Sequence, residues 1–219
     1  MKSGLYTEAA KVAQQLESEE YAERVLQLQI SIQYELEEMA HAKSLITQMP
    51  EGSTEALVAE GCILYKEEKY EEAKAKFSEA LNASGYQCDI AYNIALCYYK
   101  LKQLAPSLKH IADIIEKGVR EHPELGVGSN SEGVECKSVG NTQTLKETAL
   151  IEAFNLKAAI EFTMKNTSVA KEALQDMPPR DEDELDPVTL HNTALMNIEE
   201  DAATSFKKLN FLLNNPPFP

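Results

Sequence analysis

The chain has 219 residues, of which 43% are hydrophobic and 26% charged, and its nine Gly, nine Pro and absent Trp exclude collagen-like and low-complexity readings. Lys and Arg number 21 against 36 Asp and Glu, a net charge of −15. This balance argues against nucleic acid and against an anionic membrane surface as partners, because both need a cationic footprint. No run approaches the roughly 18 apolar residues of a membrane span, and the N-terminal stretch has no apolar signal core. Cysteines 62, 88, 97 and 136 show neither a CxxC pair nor zinc spacing, which fits a reducing compartment.

The predicted elements are all helices, and they come in pairs. A first helix near 5–17 carries Ala9, Ala13 and Leu16 on one stripe and stands alone as a half-repeat over 1–17. Helices near 19–36 and 39–49 follow, with Ser31 and Tyr34, then Ala42, Ile46 and Met49. The clearest unit spans 53–68 and 70–83, where Leu57, Gly61 and Leu64 precede Ala73, Phe77 and Ala80. A shift of 34 residues reproduces it in helices near 87–101 and 104–121: Ala91, Ala95 and Tyr98, then Ser107, Ile111 and Ile114. Small residues at the positions where two helices cross, with a large one filling between, are the signature of the tetratricopeptide hairpin. Pro106 fits only in a first turn, and Gly85 and Gly118 stand where helices can end in a left-handed cap.

Residues 122–142 break the period with four Gly and one Pro, a long insertion free to fold over a groove or extend into solvent. Helices near 143–164 and 166–176 resume the pattern with Asn155, Leu156, Ile160, Ala170 and Leu174. The acidic run Pro178 to Pro187 reads as a solvated connector, since carboxylates strung along a loop do not converge on a metal. Asp186 before Pro187 is an N-cap with Pro at the first helical position. It opens helices near 187–198 and 201–214, which carry Leu190, Ala194, Ser205, Leu209 and Leu212, with Pro217 beyond them. The expected fold is a single all-α, right-handed α-solenoid over 1–219, with repeats near 19–50, 53–84, 87–121, 143–177 and 187–219. The start in mid-hairpin and the apolar last repeat lead us to expect a segment of a longer solenoid, or ends covered by a partner.

No nucleophile with a base, phosphate cradle or HExxH arrangement is present. We therefore expect no catalytic site, cofactor or metal. The better candidate is the concave groove that first helices line. Three of them share an aromatic or His followed by Asn: Tyr92-Asn93, Phe154-Asn155 and His191-Asn192. An Asn carboxamide offers two donors and an acceptor to the backbone of an extended peptide, and an aromatic neighbour adds apolar area. The same residues could instead bond within the hairpins as repeat architecture. Val58, Cys62, Tyr65, Leu96, Tyr99, Leu195 and Ile198 lie on the same faces. The candidate partner-binding set is Tyr65, Tyr92, Asn93, Leu96, Tyr99, Phe154, Asn155, His191, Asn192 and Leu195. An alternative is a co-chaperone-type adaptor that clamps a peptide C-terminus, for which Lys66, Lys100 and Lys157 are the available groove cations.

Specific strings add a family resemblance. The runs ASGYQCDIAYNIALCYYK (83–100), LKHIADIIEKGVREHPELGVG (108–128), SVGNTQTLKETALIEAFNLKAAIEF (138–162), DMPPRDEDELDPVTLHNTALMN (176–197) and NNPPFP (214–219) resemble the tetratricopeptide subunit of intraflagellar transport complex B, the fleer family. The match is strongest from residue 53 onward and looser over 1–52. The resemblance implies a non-enzymatic scaffold in the cilium, at its axoneme and base, and in the cytoplasm. It also implies a groove that wraps an extended, Pro-containing segment of the core subunit named for fifty-two kilodaltons, and links to the kinesin-two motor and to tubulin polyglutamylation. Family members extend further at the N-terminus.

Overall fold

The regular structure is helical throughout the described residues, which in this computed structural model are 5–13, 15, 21–129 and 137–215. The helices are α1 (Tyr6–Ala13), α2 (Ala22–Glu35), α3 (Met39–Ile46), α4 (Thr54–Lys66), α5 (Tyr70–Ser84), α6 (Cys88–Lys100), α7 (Leu104–Glu121), α8 (Gln143–Glu147), α9 (Leu150–Thr163), α10 (Thr167–Gln175), α11 (Pro187–Asn197) and α12 (Ala202–Asn214). The chain is an all-α array of helical repeats. It divides into two compact units, Met1–Ile90 and Ala91–Pro219.

Four hairpins share one turn. After the first helix of each pair a non-glycine residue takes positive φ: Glu37 at 63°, Glu68 at 63°, Lys102 at 61° and Lys165 at 68°. The next amide then reaches back five residues: Glu38 to Gln33, Lys69 to Leu64, Gln103 to Tyr98 and Asn166 to Glu161, each at 2.9 Å from N to O. This bond from the residue past the cap to the carbonyl one turn back is the Schellman arrangement, and it satisfies carbonyls that the helix end would otherwise orphan.

In the first unit the crossing of α4 and α5 depends on Gly61. A Cβ there would lie 2.6 Å from Cε1 of Phe77, so only glycine lets the ring seat between the helices. Phe77 is 1% exposed, and burial of such a ring stabilises by about 2–3 kcal/mol. Ile30, Ala42, Ile46, Met49, Ala56 and Ile63 form a core cluster of the same unit. Ser53 caps α4 by accepting from the Ala56 amide. Gly85 ends α5 with φ of 81°, at the cap position its residue type suggests.

In the second unit the small-residue positions are kept. Ala91, Ala95, Ile111 and Ile114 are buried, and the Ser107 hydroxyl donates to the Ala95 carbonyl at 2.8 Å. Pro106 lies in the first turn of α7. Gly118, however, does not end a helix. It lies inside α7, where a Cβ would come 2.8 Å from Leu150, so it is a packing glycine rather than a cap. The expected helix over 143–164 is broken in two. The Thr148 hydroxyl donates to the Leu145 carbonyl at 2.8 Å, and Ala149 takes φ of 53° before α9 begins. The break lets Leu145 and Leu150 both enter the core with Leu125, Ile151, Phe154 and Met177.

Both described ends of the insertion, 122–129 and 137–142, are anchored. Pro123–Leu125 form a 3-10 turn, and Leu125 is buried. The Gly128 amide donates to Asp176 O at 2.8 Å and the Val139 amide to Pro179 O at 2.9 Å. The acidic connector is thus packed against the insertion. Its 3-10 turn, Glu182–Glu184, carries a capping box between Asp181 and Glu184, and Glu184 also accepts from the Ser138 hydroxyl. Leu16, Cys136, Gly133 and Pro217 lie outside the described residues. In α12, Phe206, Phe211 and Leu213 are exposed.

Candidate partner-binding surface

Asn155 is the best-defined polar residue of the expected groove, and it is 5% exposed. Its Nδ2 donates to Ile151 O at 3.0 Å and to Thr189 Oγ1 at 2.8 Å. Its Oδ1 accepts from Asn192 Nδ2 at 2.9 Å. Both donors of the carboxamide are therefore used inside the protein. The network continues outward. The Thr189 hydroxyl donates to Asp186 Oδ2 at 2.6 Å, and Asp186 Oδ1 accepts from the Thr189 amide at 2.9 Å as the N-cap of α11. Arg180, with a side chain only 3% exposed, donates from Nη2 to Asp186 Oδ2 at 3.0 Å and from Nη1 to Asn141 Oδ1 at 3.3 Å. Burial alone would raise the Asp186 carboxyl. The Thr189 hydroxyl and amide and the Arg180 guanidinium outweigh it and hold the group below the usual aspartate value.

The other expected residues are placed as follows. Phe154 is 2% exposed and belongs to the core of its unit. Phe154 and Asn155 are thus not on the surface: apolar packing holds the ring, and the amide joins α9 to α11. Asn192 is half-buried and His191 exposed, with Nδ1 of His191 3.4 Å from Asn192 Oδ1. Tyr92, Asn93, Leu96, Tyr99 and Leu195 are half-buried. The Asn93 side chain makes no hydrogen bond among the described residues, unlike those of the other two Asn of the pattern. Tyr99 has the Lys102 ammonium 5.6 Å from its ring centroid. Tyr65 is half-buried and meets Tyr70 edge-on, with centroids 5.2 Å apart.

Two clefts open along the first helices, one in each unit. The cleft of the second unit holds about 310 Å³ and is lined by Tyr92, Ile151, Glu152, Asn155, Arg180 and Val188, among others. That of the first unit holds about 560 Å³ and is lined by Ile30, Tyr34, Val58, Cys62, Asp89 and neighbours from α2, α4 and the start of α6. Val58 and Cys62 stand where the sequence suggests. Glu35, Glu55 and Asp89 were not foreseen, because nothing local distinguishes them from solvated charges on a helix. A third cavity of about 640 Å³ lies between α3, α4 and α5, away from the α2 face. No three potential metal ligands come together among the described residues. No helix among them is long and apolar enough to cross a membrane.

The sequence is similar along its whole length to intraflagellar transport proteins. It is 59% identical over 218 residues to intraflagellar transport protein 70A of Xenopus tropicalis, 54% over 228 residues to 70A1 of Mus musculus, and 52% over 229 residues to 70B of Homo sapiens. Each match takes in 100% of this chain and 34% of the relative, so the chain spans about a third of the length of the curated relatives it matches. Residues 1–52 are within the match. No family model matches the chain. Among solved structures, the crystal structure of BtubC (BKLC) from P. vanneervenii resembles it with a TM-score of 0.58 at 12% identity, over 98% of this chain and 87% of that one. At that identity the likeness bears on the fold alone.

Proposed function

We propose that this chain is part of a non-enzymatic scaffold of the intraflagellar transport particle, and that it captures an extended segment of another complex B subunit along its first helices. The observation that carries the groove part is the contrast among the Asn residues. Asn93 keeps its carboxamide unbonded and half-exposed beside Tyr92, Leu96 and Tyr99, while Asn155 is consumed internally. A free amide beside apolar area can pair with the N–H and C=O of a peptide whose burial would otherwise cost about 1–3 kcal/mol per unpaired group. The transport role is supported by the names of the relatives. The partner is the core subunit of fifty-two kilodaltons, through its Pro-containing central segment, with kinesin-two as a second contact. The place of action is the cilium, at its axoneme and base, and the cytoplasm. In this reading Tyr65, Tyr92, Asn93, Leu96, Tyr99, His191, Asn192 and Leu195 touch the partner, and Phe154 and Asn155 support them from below.

A carboxylate clamp for a peptide C-terminus fits less well. Lys66 is held by Tyr34 O at 3.0 Å and by Glu37 at 3.5 Å, and the first cleft is rimmed by carboxylates. Size-exclusion chromatography with light scattering tests the proposal, on the chain alone and then with the partner's central segment. A shift to a one-to-one complex is expected, weakened by Asn93→Ala and unchanged when the segment's terminal carboxylate is amidated. A chain that elutes unshifted beside the segment would sink the groove reading.

A further inference from the structure

The cleft of the first unit differs from that of the second in its charge. Its floor is apolar, formed by Ile30, Val58, Ala59 and Ile63. Glu35 on α2, Glu55 on α4 and Asp89 on α6 line it, and among the described residues no Lys or Arg does. None of these three carboxylates forms an ion pair among the described residues; Asp89 accepts only from the adjacent Ile90 amide, at 2.9 Å. The neighbouring cation, Lys66, is already committed. Its ammonium lies 4.5 Å from the Tyr34 ring centroid and binds Tyr34 O and Glu37. The second cleft, by contrast, contains Lys146 and Arg180 opposite Glu152 and Asp186.

An apolar floor under an unpaired acidic rim suits one kind of side chain: a long aliphatic stem with a positive end. Such a residue lays its methylenes on the floor and keeps its charge at the partly hydrated edge. The carboxylates are not gathered as metal ligands, so a compact divalent ion does not fit the pattern. We infer that this cleft takes a lysine or arginine side chain of the captured segment, its stem on Val58 and Ile63 and its charge among Glu35, Glu55 and Asp89. The inference rests on the groove-capture reading and adds the chemistry of one contact. The local field is consistent with it. Burial, with the Asp89 carboxylate adding to it, pushes the Cys62 thiol up to about 11. The Tyr34 hydroxyl is raised by burial, then by Cys62 and Glu35.

The test uses the full chain with methyl-labelled Ile and Val, titrated with N-acetyl-arginine methylamide and with its neutral isostere N-acetyl-citrulline methylamide. The arginine probe should shift the Ile30, Val58 and Ile63 methyl signals, and the citrulline probe should need about tenfold more to do so. The variant Glu35→Gln/Glu55→Gln/Asp89→Asn, which changes only exposed polar groups, should keep its helical signal and lose that preference. Equal response to both probes, or none to either, would overturn the inference. The partner segment separates the two failures. If the triple variant binds it about tenfold more weakly, with the wild-type affinity falling as salt rises, the inference holds. If variant and wild type bind equally, the inference is overturned and groove capture stands. If the wild type does not bind it at all, both fall.

Discussion

Asn155 and Asn192 face each other across consecutive first helices, and the amide of Asn192 donates to the carbonyl of Asn155 at 2.9 Å. They occupy equivalent positions of successive repeats, 37 residues apart. The recurring aromatic-Asn pattern is therefore, at these two places, a bond between repeats. Asn155→Ala should lower stability by about 2 kcal/mol, because it removes three hydrogen bonds and leaves the Asn192 and Thr189 groups short of partners. Asn93→Ala should leave the melting temperature within a degree or two and weaken partner binding. Thermal denaturation of both variants checks this. Equal losses of stability would mean that Asn93 is also structural.

Acid should act on the same network through Asp186. Its carboxyl is held below the ordinary value in the folded protein. The unfolded chain therefore binds the proton first as pH falls, so folded stability is present at neutral pH. It is lost progressively from about pH 4 downward, the region of an ordinary aspartate. Asp186→Asn should be less stable than wild type at pH 7, and the gap should narrow as the pH falls below about 4. Melting temperatures of both proteins across this range would show it; a constant gap would mean that the carboxylate is not what Arg180 and Thr189 stabilise.

Gly61 and Phe77 form a pair that tolerates no added volume. Gly61→Ala would place a methyl 2.6 Å from the ring, and overpacking of this kind costs about 1–3 kcal/mol. Phe77→Leu should recover part of that loss in the Gly61→Ala background while being destabilising alone. Chemical denaturation of the four proteins of the cycle gives the coupling energy. An additive result would show that α4 and α5 simply separate.

The left-handed turn residues offer the opposite sign. Glu68 is exposed and holds φ of 63°, a conformation that costs an L-residue about 1 kcal/mol and costs glycine little. Glu68→Gly should raise stability by about 0.5 kcal/mol after the extra entropy of an unfolded glycine is subtracted. A drop would mean that the side chain contributes more to the turn than its exposure suggests.

The repeats were legible because their signal is local and periodic. Gly61, Phe77, Ala95 and Ile111 lie at crossing positions that a spacing of 34 residues marks without reference to anything distant. Asp186 and Pro187 likewise announce the start of α11. Thr148 and Ala149 gave no such warning: neither residue is a recognised breaker, and the break arises because it allows Leu145 and Leu150 to join one core. The Asn pattern was visible, but its meaning was not. A carboxamide has the same donors and acceptor wherever it stands, and only the arrival of Thr189 and Asn192 from another repeat decides whether they are spent.

The sequence by itself therefore determined the helical class, the hairpin period and the similarity to intraflagellar transport proteins, because each is written in spacing or in matched strings. The tertiary structure alone decided which expected groove residues are buried, that the acidic connector is tied to the insertion through Arg180, and that Glu35, Glu55 and Asp89 share a cleft. Those facts depend on residues far apart in the chain being brought within a few ångströms of each other. No local pattern encodes that distance.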